Sequence, residues 1–199
     1  MQRILDITLS LLALIILSPL LVPVGILLRM TGEGEVFYRQ ERIGRGGKPF
    51  NLYKFATMLK NSPSLGTGTI TVKDDPRVLP VGRFLRKTKI NELPQLLNIV
   101  FGDMSIIGPR PLTRQTFDAY SEPTKFTISK VKPGLSGIGS IIFRGEEDIL
   151  SDANGSLDFY KATIAPYKGS VESWFVENNT LSTYFKAILV TVWVVAFPR

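Results

Sequence analysis

Glu92 is a carboxylate placed where it could act on phosphate. It follows Arg86, Lys87 and Lys89 and, with Asn91, precedes a run in which Leu93, Leu96, Leu97 and Val100 recur at helical spacing. Pro94 suits a first helical turn and Gly102 a stop, so the spacing predicts Asn91 and Glu92 at a helix N-terminus. Such an end offers free N–H groups and the positive pole of the helix dipole, which together favour phosphate. A carboxylate beside it could hold a divalent cation bridging a diphosphate. Taken alone, the pair reads more simply as structure, because Asn is a strong N-cap and Glu is routine in a first turn.

Further along, Gly108-Pro109-Arg110-Pro111 predicts a rigid extended backbone from which one guanidinium projects. A fixed Arg fork matches a pair of phosphate oxygens, and a structural ion pair for Arg110 carries equal weight on this motif alone. Lys132-Pro133-Gly134-Leu135-Ser136-Gly137 is a second rigid turn, and Arg144 follows after an apolar run. Asp103 lies just past Gly102, as a second metal contact or a turn residue. Arg86 and Arg144 suit substrate phosphate or anionic lipid.

The composition narrows the chemistry. With no Cys and no His, Cys/His zinc sites, thiol nucleophiles and imidazole-based triads are excluded. The excess of 24 Lys and Arg over 17 Asp and Glu favours anionic partners without choosing among them. A nucleic-acid module lacks interleaved aromatics and a recognition motif here, and leaves the membrane run unexplained.

These residues need elements to position them. The 199-residue chain is long enough for one domain with a core, and its 44% hydrophobic content excludes a disordered chain. Ile7 to Leu28 carries no charge and is about as long as a bilayer-crossing helix. It runs directly into Arg29 without a small-residue cleavage site, which argues against a signal peptide. Ser18-Pro19 predicts a kink, since proline removes a donor and clashes with the preceding turn. Arg3 before the run and Arg29, Arg39, Arg42, Arg45 and Lys48 after it make both flanks positive. That favours a re-entrant hairpin with both ends on the cytoplasmic side over a single span.

Glu35 to Thr57 alternates partially around a turn at Gly44 to Pro49, as in a β-hairpin. Asn61 to Pro76 reads as a surface loop of the kind that closes over substrate. Val81 to Lys89 reads as a basic amphipathic helix. Ala187 to Phe197 is too short for a comfortable span and suits a core or interfacial helix, with Trp193, Lys186 and Arg199 at a membrane interface. The expected fold is α+β and helix-rich, with a membrane helix over 1–30 and a catalytic domain over 31–199.

The set of motifs, in order, resembles the bacterial sugar transferase family of monotopic phosphoglycosyl transferases. The matching pieces are Ser18-Pro19 in the broken helix, Phe37-Tyr38-Arg39-Gln40-Glu41-Arg42-Ile43-Gly44, Tyr53-Lys54-Phe55 with Thr57-Met58, and Asp75-Pro76-Arg77. Gly82-Arg83-Phe84-Leu85-Arg86, Glu92-Leu93-Pro94-Gln95-Leu96 and Gly102-Asp103-Met104-Ser105 follow, then Gly108-Pro109-Arg110-Pro111, Lys132-Pro133-Gly134 and Glu177-Asn178. The resemblance implies transfer of a sugar 1-phosphate from a UDP-sugar to polyprenol phosphate, giving a polyprenol diphosphate sugar and UMP, at the start of O-antigen, capsule, exopolysaccharide or glycoprotein glycan assembly. It also implies Mg²⁺, a compact catalytic domain with a re-entrant membrane helix and interfacial helices, and a place on the cytoplasmic face of the bacterial inner membrane. The short chain looks like the minimal catalytic form. Oligomerisation is left open.

Two departures matter. The family's dyad is Asp-Glu, in which the Asp is the nucleophile and the Glu helps hold Mg²⁺; here it is Asn91-Glu92. Asn is a very poor nucleophile toward phosphorus. Direct transfer in a ternary complex is the preferred reading, with Glu92 holding Mg²⁺, Asn91 orienting a phosphate or capping the helix, and Arg86, Arg110 and Arg144 neutralising the diphosphate. An inactivating substitution, or takeover of the nucleophile's role by Glu92 or Asp103, are the competing explanations, and an inactive nucleotide-sugar-binding or scaffolding relative is the competing function. Ala56 stands where the family often has Arg.

Overall fold

In the computed structural model, residues 1–31, 33–65, 75–146, 149 and 157–197 are described. Residues 66–74 of the expected substrate-covering loop, and Arg199, lie outside them.

The fold is helix-rich, with two small two-stranded sheets. Helix α1 (Gln2–Met30) contains both Pro19 and Pro23. The Ser18 hydroxyl donates to the Ile15 carbonyl at 2.8 Å, a local way to occupy a carbonyl near the proline. The expected hairpin forms: β1 (Phe37–Ile43) pairs antiparallel with β2 (Pro49–Phe55), Gln40 opposite Leu52. Gly46 and Gly47 turn the chain at φ values of 71° and 72°, which only glycine adopts without cost.

Helix α2 (Pro80–Lys87) starts at a proline, whose fixed φ suits a first turn. Its close approach to the hairpin requires Gly82, where a Cβ would stand 2.2 Å from the Thr57 carbonyl oxygen. Helix α3 (Gln95–Phe101) ends at Gly102 with φ 104°, as the sequence predicts. Strand β3 (Ser105–Ile107) pairs in parallel with β4 (Gly134–Ser136). Between them lie α4 (Arg114–Phe117) and α5 (Glu122–Ile128), each capped by a hydroxyl, from Thr113 and Ser121. Helix α6 (Ile138–Ile142) follows β4. A π-helical turn over Tyr160–Ile164 leads into α7 (Ala165–Glu177), and α8 (Leu181–Ala196) closes the described chain. Glu177-Asn178 closes α7. The Asn178 amide returns to the Trp174 carbonyl at 2.9 Å, while Thr180 caps α8.

One side of helix α1 packs on the core, while Leu12, Ile15, Ile16 and Val22 are exposed. Ala13, Leu14 and Leu17 pack on Leu52, Leu96, Ile99 and Met104, while Leu21, Val24 and Leu28 pack with Phe55 and Leu85. Near its start, the Arg3 guanidinium donates to the Val100 carbonyl at 2.9 Å and to that of Ile99. Asp6 accepts hydrogen bonds from the Ser105 hydroxyl, the Ile106 N–H and the Tyr184 hydroxyl. One carboxylate thus joins α1, β3 and α8. Helix α8 splits its faces: Tyr184 and Ala187 are buried with Ile107 and Phe175, whereas Leu189, Val190, Val192, Trp193 and Val195 are exposed.

Candidate active site

The chain turns sharply ahead of α3. Lys89 takes a left-handed φ of 59°, an unfavourable conformation for a side chain with a Cβ. Ile90–Glu92 then form a 3₁₀ turn. This corrects the sequence expectation in two ways. The N–H groups of Glu92 and Leu93 are taken by the carbonyls of Lys89 and Ile90 at 3.0 and 3.1 Å, so they are not free for phosphate. Pro94 holds the N-cap position of α3, and Asn91 makes no capping bond. Asn91 is buried, at 5% exposure, and its Oδ1 has no partner among the described residues.

Glu92 faces a large cavity of about 1250 Å³, whose lining includes Arg42, Lys54, Arg86 and Arg110. The Lys54 ammonium from β2 meets Glu92 Oε1 at 3.2 Å. Burial alone would push the Glu92 carboxyl up, yet the charges of Lys54, Arg110 and Lys89 outweigh it and hold the pKa at about 2. The Lys54 ammonium is also held below its usual value: burial lowers it, and Arg42 and Arg110 add to that against the pull of Glu92. The pair therefore sits in a field with cations in excess, a surplus that suits a multiply charged anion. Arg42 shows the same strain, lowered to about 10 by burial and by Arg110. Its guanidinium bridges the hairpin to the proline-rich turn, donating to the Pro111 carbonyl at 3.1 Å and to Gln40 at 2.6 Å.

Arg110 is fixed from behind. Gly108 and Gly134 approach so closely that a Cβ on Gly134 would lie 2.1 Å from the Gly108 nitrogen. The Gly134 N–H donates to the Pro109 carbonyl at 2.8 Å. The two rigid turns read from the sequence thus lock against each other. The Arg110 N–H donates to Glu172 Oε1 at 3.1 Å. Glu172 is 3% exposed, and burial raises its carboxyl to about 7 against the Arg110 hydrogen bond and the Lys168 charge.

Of the predicted site residues, Glu92, Arg86, Arg110 and Arg144 line the cavity together. Asn91 is adjacent in sequence to Glu92 but buried. Asp103 is not brought there: it lies at the far end of α3, about 10 Å along the helix, where its carboxylate accepts from the Asn98 amide at 3.2 Å. The same Asn98 side chain bonds the backbone of Asn51 and Tyr53, tying β2 to α3. Sequence reasoning missed Lys168, Glu146 and Glu172. Lys168 lines the cavity and forms an ion pair with Glu146. Lys168 and Glu172 sit four apart on α7, a spacing that normally marks a solvated face; both are buried here.

A sequence profile of the bacterial sugar transferase family matches residues 1–198. The chain belongs to the bacterial sugar transferase family. Among its relatives are undecaprenyl-phosphate galactose phosphotransferase of Salmonella typhimurium, 34% identical over 195 residues, covering 91% of this chain and 37% of that protein. UDP-glucose:undecaprenyl-phosphate glucose-1-phosphate transferase of Escherichia coli is 34% identical over 194 residues, 95% of this chain and 40% of that protein. The exopolysaccharide production protein ExoY of Sinorhizobium fredii is 38% identical over 159 residues, 73% and 70% of the two chains. The chain spans 37% and 40% of the length of two of these relatives.

A magnesium ion is the family expectation. Among the described residues no three acidic groups converge to form a protein cage. Mg²⁺ commonly uses one or two carboxylates and completes its shell with water and substrate phosphates. Glu92 is ionised at neutral pH and lines the cavity, whereas Asn91 is buried and does not line it. One cavity-lining carboxylate fits a metal that arrives with a diphosphate.

Proposed function

We propose that this chain transfers a sugar 1-phosphate from a UDP-sugar to polyprenol phosphate at the cytoplasmic face of the bacterial inner membrane, without a covalent enzyme intermediate. The observation that carries the reading is the cavity: Arg42, Lys54, Arg86 and Arg110 gather with the ionised Glu92 in a space also bordered by Leu28 of α1 and Val192 of α8. Few substrates need a cationic pocket and an apolar border at once, and a lipid phosphate meeting a nucleotide sugar is one such pair.

In the proposed step, an oxygen of the lipid phosphate attacks the sugar-bearing phosphorus of the UDP-sugar. A new P–O bond forms, the bond from that phosphorus to the bridging oxygen breaks, and UMP leaves with the electron pair. Little proton chemistry is required, because the attacking oxygen is already ionised. Arg110, held by its locked turn, and Arg86 neutralise charge that spreads over the phosphoryl oxygens. Glu92 would hold Mg²⁺, which when bound supplies charge neutralisation at the diphosphate. Lys54 keeps Glu92 ionised and oriented. The cavity exceeds the usual 300–1,000 Å³ of small-molecule sites, in keeping with two substrates bound together.

Helix α1 supports a membrane arrangement. The helix is long and apolar enough to cross a bilayer. Yet Arg3 and Asp6 near one end and Leu28 near the other all dock on the same domain. We read α1 as dipping into one leaflet and returning, bent at Ser18-Pro19.

The test uses purified protein in lipid nanodiscs with Mg²⁺, a panel of UDP-sugars and undecaprenyl phosphate, with the lipid present or withheld. UMP formed only with lipid, and no sugar-phosphate adduct on the intact protein by mass spectrometry, is the expected result. UMP and an adduct without lipid would overturn direct transfer. No turnover with any UDP-sugar would favour a binding or scaffolding relative, the reading that Asn91 motivates.

A further inference from the structure

The cavity holds a second ion pair that the transfer step above leaves unused. Lys168 of α7 is 1% exposed and its ammonium is bonded to Glu146. Burial lowers the pKa of that ammonium, opposed by the charge of Glu146. The charge of Arg110 bears on Lys168 as it bears on Lys54 and Glu92. Arg110 thus stands within electrostatic reach of two separate carboxylate–lysine pairs lining one space.

The surroundings of the two pairs differ. Lys54 and Glu92 sit among Arg42 and Arg86, with the 3₁₀ turn behind them. Near Lys168 lies Phe143, whose ring centroid is 5.6 Å from the ammonium, and the cavity lining also includes Arg144, which donates to the Val194 carbonyl of α8 at 3.0 Å. From α8 itself come Ile188, Val192 and Val195. These are spaced i, i+4 and i+7, so they form one apolar stripe along the helix. The stripe starts in the cavity and continues outward, where Val192 and Val195 are 60% and 71% exposed.

A lysine withdrawn from water needs an anion beside it. Among the described residues Glu146 meets that need with one hydrogen bond, and an ammonium has three donors. A phosphate has several acceptor oxygens and can satisfy more of them. An apolar stripe beside such a cation matches a molecule with a phosphate head and a long hydrocarbon tail.

We propose that Lys168 and Arg144 form the phosphate subsite of the lipid acceptor, and that the Ile188–Val192–Val195 stripe seats the first isoprene units of its chain. The donor diphosphate then occupies the Lys54–Glu92 side, and Arg110 lies between the two phosphates that must react. On binding, the lipid phosphate replaces Glu146 at the Lys168 ammonium. This assignment rests on the proposed transfer reaction but is separable from it, because binding can be measured without turnover.

The experiment measures equilibrium binding of radiolabelled undecaprenyl phosphate, and separately of UDP, to the full chain in nanodiscs. Lys168→Met should weaken lipid phosphate binding on the order of tenfold, the loss expected for one charge-assisted hydrogen bond, with UDP binding within about twofold of the parent. Lys168→Arg should recover most of it. Val192→Asp, at an exposed position that cannot disturb the core, should weaken undecaprenyl phosphate binding while leaving geranyl phosphate, with its short tail, less affected. Where turnover is measurable, the same variants raise KM for the lipid and not for the UDP-sugar. Unchanged lipid binding in both Lys168→Met and Val192→Asp, or a loss confined to UDP, would overturn the subsite. Absence of turnover in the parent chain with lipid binding intact and sensitive to Lys168 would sink the transfer reading and leave the subsite standing. Should Lys168→Met fail to fold, Val192→Asp and Lys168→Arg decide the matter.

Discussion

The Arg110 backbone N–H and Glu172 Oε1 are 3.1 Å apart, and this contact joins the proline-rich turn to the middle of α7. The second carboxyl oxygen of Glu172 has no partner among the described residues. The group therefore accepts one hydrogen bond while being shut off from water, which is why its pKa rises to about 7.

A pH dependence follows from that rise. For an acid whose pKa is higher folded than unfolded, the native state binds the extra proton, so stability is fullest below the unfolded value of 4.5 and declines as pH climbs toward 7. The loss is on the order of 3 kcal/mol, and beyond about pH 7 the slope vanishes. Glu172→Gln keeps an acceptor for Arg110 and cannot ionise. Thermal unfolding of this variant should lack the decline between pH 5 and 7 that the parent shows; equal slopes would contradict the assignment. Glu92 acts in a different window: its lowered pKa of about 2 contributes stability above 4.5 that is lost as pH falls from 4.5 toward 2.

Asn91→Asp should convert the mechanism. A carboxylate one residue from Glu92 is a competent nucleophile, so the variant is expected to release UMP from a UDP-sugar before any lipid is added, with a sugar-phosphate adduct visible by mass spectrometry. If the adduct stays absent with the variant fully folded, the buried position of residue 91 excludes it from the phosphorus.

Lys54→Met removes the partner that keeps Glu92 ionised. Because both side chains retain some exposure, 18% and 23%, the stability loss should be modest, about 2 kcal/mol as for a hydrogen bond to a charged group. The effect on kcat should be about a hundredfold or more, since Glu92 loses the ammonium that orients it at 3.2 Å. Denaturation midpoints and kcat on the same preparation separate the two effects.

Gly134→Ala places a methyl group where the Gly108 nitrogen lies 2.1 Å away. The two turns must part, at about 1–3 kcal/mol for an overpacked site, and Arg110 moves with them. Gly47→Ala serves as the comparison: its Cβ would meet nothing within 4 Å, though its φ of 72° carries a backbone cost. Activity should fall more per unit of stability lost in Gly134→Ala than in Gly47→Ala.

Much of this arrangement was legible in the chain, because local rules coincide with the fold where the chain is regular. Alternation around Gly44 to Pro49 gave the hairpin, leucine spacing and Gly102 bounded α3, and the glycine–proline turns marked where Arg110 is held. The start of α3 was misread because Asn91 has an N-cap's identity without its geometry. The left-handed Lys89 sends the chain into a 3₁₀ turn first, and nothing in local propensity announces that. Lys168 and Glu172 were invisible for a different reason: whether an i, i+4 charge pair faces water or core depends on what packs over it, here the turn at Arg110 and the helix at Gly139. Asp103 illustrates the converse. Its family motif suggested chemistry, while its position suits bracing Asn98 between β2 and α3.

Asp6 has a practical consequence. Its carboxylate is bonded at once to a hydroxyl and an N–H of β3 and to the Tyr184 hydroxyl of α8, and the same helix contributes Leu28 to the domain's interior. This apolar helix is therefore not a detachable tether. Cutting it away to obtain a water-soluble enzyme would strip Ser105 and Tyr184 of their shared acceptor and open the hydrophobic interior beside α3. A truncated protein should be insoluble or misfolded, and study of this enzyme will require detergent, nanodiscs or a covering partner for α1 from the outset.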